Sequence, residues 1–328
     1  MNKRAIFVSL VVALLLVAAT GTVWAGGAAE EAAVYPSRTV SAVVPWAAGG
    51  GTDRVARFWA DAYQQELGVP FVVENRTGGG GAVGHSAGAR AAADGYTIAM
   101  VTFELATLES MGLADITYAD YDYILQMNED AASVIVRADS PYETIQDLFD
   151  DIEANPGQVS FSGTAVGGVW DLSRVGMLLE AGIDPDDTLW IPSEGAAPAI
   201  TDLLGGHVDV ITNSLPEAQS QLEAGNLRAL AVMSDQRNAA FPDVPTLKEQ
   251  GVEWSGGTWR GFAVPAGTPE DVRQVLIEAG EKIATSTEFE NFMADAGFGI
   301  RLRLGDEYAE FVEDEHYTWQ TIIREIGF

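Results

Sequence analysis

The stretch VVPWAAGGGTDRVARFWADAY, residues 43–63, passes from a short apolar strand through three glycines into an amphipathic helix. In the helical part Val55, Phe58, Trp59, Ala62, Tyr63 and Leu67 recur at i, i+3, i+4 spacing, which predicts a helix over 53–67 with one apolar face. A strand that ends in glycines and opens a helix brings bare backbone N–H groups to the carboxyl edge of a sheet, where open α/β folds bind ligands. The positive end of the helix dipole favours a negative group at that point. The junction is a candidate anion cradle, and the rest of the chain decides whether it serves a nucleotide, an intermediate or a carried anion.

Two more glycine-rich junctions follow strands, at Gly78-Gly79-Gly80-Gly81 and at Gly163 with Gly167-Gly168. Around the first two, the apolar runs TVSAVVP, FVVEN and TIAMVT alternate with helical patterns at 53–67 and 84–92, the signature of a parallel sheet covered by helices. A second alternating set begins after ASVIVRADSPY. It predicts helices over 144–154, 170–181, 196–204 and 217–224, with strands VSFSG, TLWIP, VDVIT and RALAVM beside them. WRGFAVPAGTP then leads into closing helices over 270–285 and 306–326. The expected organisation is α/β in two lobes, lobe 1 from 34–133 and 257–328 and lobe 2 from 134–256, with two chain crossings and a cleft between them.

The N-terminus reads as an export signal. Lys3 and Arg4 precede an apolar run from Ala5 to Ala19 and a small-x-small end at Val23-Trp24-Ala25, so residues 1–25 are expected to be removed and 26–33 to be a disordered lead-in. Cleavage there leaves 303 residues (328 less 25), and losing Lys3 and Arg4 moves the formal charge from −30 to −32. The chain has no cysteine, which excludes disulfides, thiolate metal sites and a lipid-modified cysteine anchor. A free periplasmic protein is expected. So acidic a chain lacks the clustered Lys and Arg that nucleic acid demands.

Enzyme readings are weak. Gly79-Gly80-Gly81-Ala82-Val83-Gly84 satisfies G-x-G-x-x-G, and Glu104 stands about 20 residues on, where a dinucleotide fold places its ribose-binding acid. The alternative is thus an NAD(P)-dependent oxidoreductase. Against it, the match falls in the second strand–helix unit, and a run of four glycines produces such matches easily. His85, His207 and His316 stand far apart without metal-ligand spacing, and no nucleophile elbow, HExxH or Walker sequence occurs. The reading is a binding protein with no catalytic residues, no metal and no cofactor.

YPSRTVSAVVPWAAGGGTDRVAR, VVENRTGGGGAVGHSAGARAAADGYTI, GAAPAITDLLGGHVDVI, NLRALAV, FPDVPTLKEQGV and FAVPAGTP together resemble the extracytoplasmic receptors of tripartite tricarboxylate transporters, the Bug family. The resemblance implies a two-lobed periplasmic binding protein (type II-like, Venus flytrap). Such a receptor is a monomer that captures a small carboxylate and delivers it to a membrane permease. Family ligands include citrate, malate, other dicarboxylates, aromatic acids and some amino acids.

Carried over by position, one ligand carboxylate lies on the loop 47–53, at Ala48, Gly49, Gly50 and Thr52, facing Thr77, Gly78 and Gly79. Trp46 replaces the family's usual phenylalanine, and Thr102 and Phe103 end the neighbouring strand. The opposite lobe supplies Ser162, Gly163 and Thr164, then Gly195, then Asn213 and Ser214, with Trp259 at the rim beside Trp46 and Phe103. Asn213 and Ser214 fit a strand-end turn equally well. Where many members read Asp-Asn this chain has Thr212-Asn213-Ser214, which disfavours an ammonium-bearing ligand and suits a dicarboxylate or hydroxy-dicarboxylate, while the aromatic rim would also accept an aromatic acid. Gly168-Val169-Trp170-Asp171 departs from the family's usual Ser/Thr and His. Asp53 is read as support for the loop, and Arg76, His85 and Arg260 lie beside matched positions.

Overall fold

The computed structural model describes residues 35–326, so the signal read at 1–25 and the lead-in at 26–33 lie outside the described residues. The stretch that opens the sequence argument becomes the centre of the first sheet. Strand β1 (Val40–Val44) is apolar on both faces and pairs in parallel with β2 (Phe71–Asn75) on one side and β3 (Thr97–Thr102) on the other. Helix α1 (Gly51–Leu67) follows β1, and α2 (Ala82–Ala89) follows β2. Val55, Trp59 and Tyr63 of α1 are fully buried, each large apolar side chain contributing about 1.5–3 kcal/mol on burial. Trp59 meets Phe289 edge-on at 5.2 Å, and the Tyr63 hydroxyl donates to the Leu276 carbonyl at 2.9 Å.

Two antiparallel strands complete this sheet from the other direction. β10 (Gly257–Pro265) lies between β3 and β4 (Tyr121–Ala131), and β11 (Ile300–Leu304) pairs with the far edge of β4. The order is β11-β4-β10-β3-β1-β2. The sequence patterns do not announce β4, although it is eleven residues long. Gln126, Asn128 and Asp130 break its apolar alternation, yet all three are buried. Asn128 and Asp130 accept from Arg260, and Gln126 accepts from Arg303, so these arginine partners mask the strand pattern.

The chain crosses from β4 to β5 (Ser133–Arg137) through Ala132 alone, and returns between β9 (Leu227–Val232) and β10. The second sheet has the order β7-β6-β8-β5-β9, with β6 (Ser160–Ser162), β7 (Leu189–Ile191) and β8 (Val210–Ile211). Its helices are α3 (Ile145–Ala154), α4 (Val169–Glu180), α5 (Ala196–Leu204) and α6 (Leu215–Glu223). Thr144 caps α3 by accepting from the Asp147 amide, with Asp147 reaching back in a capping box. The architecture is α/β in two lobes, one per sheet.

The closing segment holds one more helix than the periodicity predicts. α7 (Glu270–Ala284) stops and α8 (Thr287–Ala296) restarts after the cap at Ser286, whose side chain accepts from the Phe289 amide. The long α9 (Gly305–Ile326) then packs across β4 of the first sheet.

Candidate functional site

Four helices point their N-termini at one small cleft. Gly50, Gly51 and Thr52 come from the start of α1, Val169 and Trp170 from α4, Ala196 from α5, and Glu217 from the first turn of α6. Trp46, Glu104, Thr164, Thr258 and Arg260 complete the wall. The first amides of a helix have no intrahelical acceptor and carry the positive end of its dipole, so this convergence is a site for negative charge.

Each lobe fixes its glycine loop with the same device. Asp53, in the first turn of α1, accepts from the Gly49 amide at 2.8 Å, from Asn75 at 2.9 Å and from Arg57 at 2.9 Å. Burial alone would raise its pKa, but these hydrogen bonds outweigh burial and hold the carboxyl below its ordinary value. Asp171, in the first turn of α4, accepts from the Gly167 amide at 3.0 Å and from Arg174 at 2.8 Å. The spacing Gly-x-x-x-Asp followed by Arg within one turn is visible in both stretches, and it is the repeat signal that the glycines obscure.

Of the residues singled out from the sequence, Trp46, Gly50, Thr52 and Thr164 line the cavity. The others stand around it in different roles. Ala48 and Gly49 are exposed, and the Ala47 amide, nominally part of the cradle, is taken by the Glu194 carbonyl at 3.0 Å. Thr77 and Gly79 are exposed, while Gly78 through Gly81 all have positive φ, a conformation that only glycine adopts cheaply. This loop packs behind the indole of Trp46, since a Cβ on Gly81 would sit 3.2 Å from the ring. The G-x-G-x-x-G run is thus a packing turn, with Gly84 pressed against the backbone of Pro45.

Gly163 has no room for a Cβ beside Trp170 and Trp190, and Gly195 is the N-cap of α5. Ser162 is buried with its hydroxyl unpartnered but does not reach the cavity wall. Asn213 and Ser214 serve Glu217, giving it the Asn213 amide at 3.0 Å and the Ser214 N–H at 3.3 Å. Thr102 donates to Glu104 at 2.6 Å and accepts from Trp46 Nε1 at 3.3 Å.

Phe103 and Trp259 correct the sequence reading: they are not rim residues. Phe103 packs edge-on against Trp319 at 4.8 Å, and Trp259 packs on Tyr308 and Phe311 while its Nε1 donates to Glu315 at 3.0 Å. Side chains alternate along a strand, so Thr258 and Arg260 of β10 face the cavity and Trp259 faces α9. Among the glycines of the loop 47–53, Gly51 is the one whose Cβ would collide. A Cβ on Gly50 would meet only ordinary contacts at 3.6 Å, whereas one on Gly51 would meet Glu217 at 2.7 Å.

Two buried acids were missed in their true roles. Arg260, 1% exposed, donates to Thr52 at 3.0 Å, Asp130 at 2.6 Å and Glu217 at 2.8 Å, and also to Asn128. The Arg260–Glu217 contact joins β10 of the first sheet to α6 beside the second. Glu104 is 2% exposed and accepts from Thr102 and, at 3.3 Å, from the Val169 amide at the start of α4. Burial raises the pKa of both acids, against hydrogen bonds that favour their ionised forms and against Arg260.

The other flanking cations resolve differently. Arg76 pairs with Glu74 at the surface at 2.8 Å. His85 is buried, its Nδ1 bonded to the Gly81 carbonyl and its Nε2 accepting from the Thr102 amide; burial lowers its pKa to about 4, so it is neutral. Among the described residues no group of acids and histidines is arranged to hold a metal ion.

Comparison with known proteins agrees with this geometry. Residues 55–328 match the tripartite tricarboxylate transporter family receptor. BugT of Bordetella pertussis is 33% identical over 316 residues, covering 92% of this chain and 94% of its own. The solved periplasmic binding protein BugD superposes with a TM-score of 0.83 at 31% identity, covering 89% of this chain and 99% of its own. MatC of Rhodopseudomonas palustris, solved with bound malate, superposes with a TM-score of 0.81 at 26% identity, covering 88% of this chain and 100% of its own. The chain therefore belongs to the receptor family of the tripartite tricarboxylate transporters.

Proposed function

We propose that this chain is a periplasmic solute receptor, monomeric and without catalytic activity, that captures a small carboxylate between its lobes and delivers it to a tripartite tricarboxylate-type membrane permease. The observation that carries this reading is the convergence of four helix N-termini, from both lobes, on one polar cleft. The carboxylate sits on the amides that open α1 at Gly50, Gly51 and Thr52 and α5 at Ala196, with Thr164 as a hydroxyl donor from the second lobe. Charge-assisted hydrogen bonds contribute about 1.5–3 kcal/mol each, so three or four reach the roughly 8 kcal/mol of micromolar binding without an arginine. The related MatC was solved with malate, a small carboxylate, which supports a ligand of this class.

Capture follows from the connectivity. The lobes are joined by two strand-level crossings, and ligand contacts from both sides favour the closed arrangement. The dinucleotide alternative loses its support, because its glycines make a packing turn and Glu104 is committed to Thr102 and α4. A thermal-shift screen of small carboxylates and nicotinamide dinucleotides tests the reading. A ligand at a hundred times its Kd stabilises by about 2.7 kcal/mol. Stabilisation by a dinucleotide with no response to any carboxylate would overturn it.

A further inference from the structure

We propose that the ligand is an amino carboxylate, with one carboxylate and one ammonium, and that Glu104 selects it by pairing with the ammonium. This rests on the receptor reading above and narrows it to a substrate class. It reverses the expectation of an all-anionic ligand drawn from Thr212-Asn213-Ser214.

Two of the four convergent helix ends are already filled by the protein's own acids. Glu104 holds the start of α4 through the Val169 amide, and Glu217 holds the start of α6 through the Ser214 amide. The ends of α1 and α5 remain for a ligand carboxylate. A second ligand carboxylate on the other side of the cavity would lie against Glu104 in a desolvated space.

The local charges leave an excess of one. Arg260 is shared between Asp130 and Glu217, and Arg54 donates to the Pro216 carbonyl beside Glu217. Against these two cations stand Asp130, Glu217 and Glu104. Among the described residues no Lys, Arg or His forms an ion pair with Glu104, although it is 2% exposed. Its oxygens face donors: Oε2 takes the Thr102 hydroxyl, which also accepts from Trp46 Nε1, and Oε1 takes the Val169 amide. A buried carboxylate surrounded by donors and lacking a cation is completed by a cation from the ligand. Thr164 Oγ1, buried in the same wall and unpartnered, is a further group awaiting the ligand.

Calorimetry on the full mature chain tests this with pairs that exchange one group: β-alanine against succinate, γ-aminobutyrate against glutarate, and 5-aminovalerate against adipate. The expected result is that at least one amino carboxylate binds about tenfold or more tighter than its partner, as a charge-assisted hydrogen bond requires. In Glu104→Gln, which keeps the size and one of the two acceptor oxygens while removing the charge, that preference is lost or reversed. Retention of a cooperative unfolding transition in the variant separates this from misfolding. Carboxylates that bind without preference for the ammonium, or a preference that survives Glu104→Gln, would overturn the inference and leave the receptor reading standing. Tight dicarboxylate binding with uptake of one proton, read from buffers of different ionisation enthalpy, would also overturn it. Failure of every carboxylate to bind would remove the receptor reading itself.

Discussion

Glu217 and Glu104 occupy equivalent surroundings and differ in one respect. Each has a buried side chain, each accepts the amide of a helix start, and each lines the same cavity. Glu217 has Arg260 at 2.8 Å, whereas Glu104 feels Arg260 only at longer range and, among the described residues, has no cation in ion-pair contact. The difference separates architecture from function. A paired buried acid holds two elements in register and has little left to offer a ligand. An unpaired one carries a standing cost that folding alone does not repay, which is how a binding site differs from a core.

The largest way to break the comparison is to remove the cation. Arg260→Leu leaves Asp130 and Glu217 buried without a partner, and urea unfolding is expected to show a loss of about 3–5 kcal/mol. Loss below about 1 kcal/mol, the range of an exposed pair, would show that the cluster is solvated in solution. A smaller effect comes from crowding the same pair. Gly51→Ala places a methyl 2.7 Å from the Glu217 side chain and is expected to cost about 1–3 kcal/mol. Gly50→Ala meets contacts at 3.6 Å and is expected to cost about 1 kcal/mol or less, so thermal unfolding of the two variants should rank them clearly.

The other acid predicts the opposite sign. Glu104→Gln removes a buried unpaired charge, so the empty protein is expected to gain about 1 kcal/mol at neutral pH. The pKa of Glu104 is raised on folding by burial, so between its ordinary value of 4.5 and its raised folded value the folded state binds the proton more tightly. Wild-type stability therefore falls as pH rises through that window, and the cost is fully present above it. The advantage of glutamine is expected at pH 7 and should shrink as pH drops toward 4.5, in paired unfolding curves. An advantage independent of pH would indicate a packing effect.

Much of this was legible in the sequence because glycines and periodicity speak locally. The strand–glycine–helix junctions at 43–63 and 160–171 set the sheets, the helix starts and the side of the sheet where the cavity lies. Trp46, Gly50, Thr52 and Thr164 were reachable from motif position alone. Which face Trp259 presents depends on register in β10, which no local pattern fixes. Glu104 was visible only as a mistaken ribose acid, and Glu217 as an ordinary acid in a helix. Their meaning depends on Val169 and Arg260, 65 and 43 residues away along the chain. In a chain with 48 acidic residues, composition hides two that matter; burial and partners reveal them.

The most direct test places the empty and loaded states in one cycle. Unfolding free energies of wild type and Glu104→Gln are measured at pH 7 alone and with a saturating amino carboxylate chosen from β-alanine, γ-aminobutyrate and 5-aminovalerate. The account predicts that the order inverts: the glutamine variant is the more stable when empty and the less stable when loaded, because the ligand's ammonium stabilises only the carboxylate. The same order in both states, with equal stabilisation of the two proteins by the ligand, would contradict it.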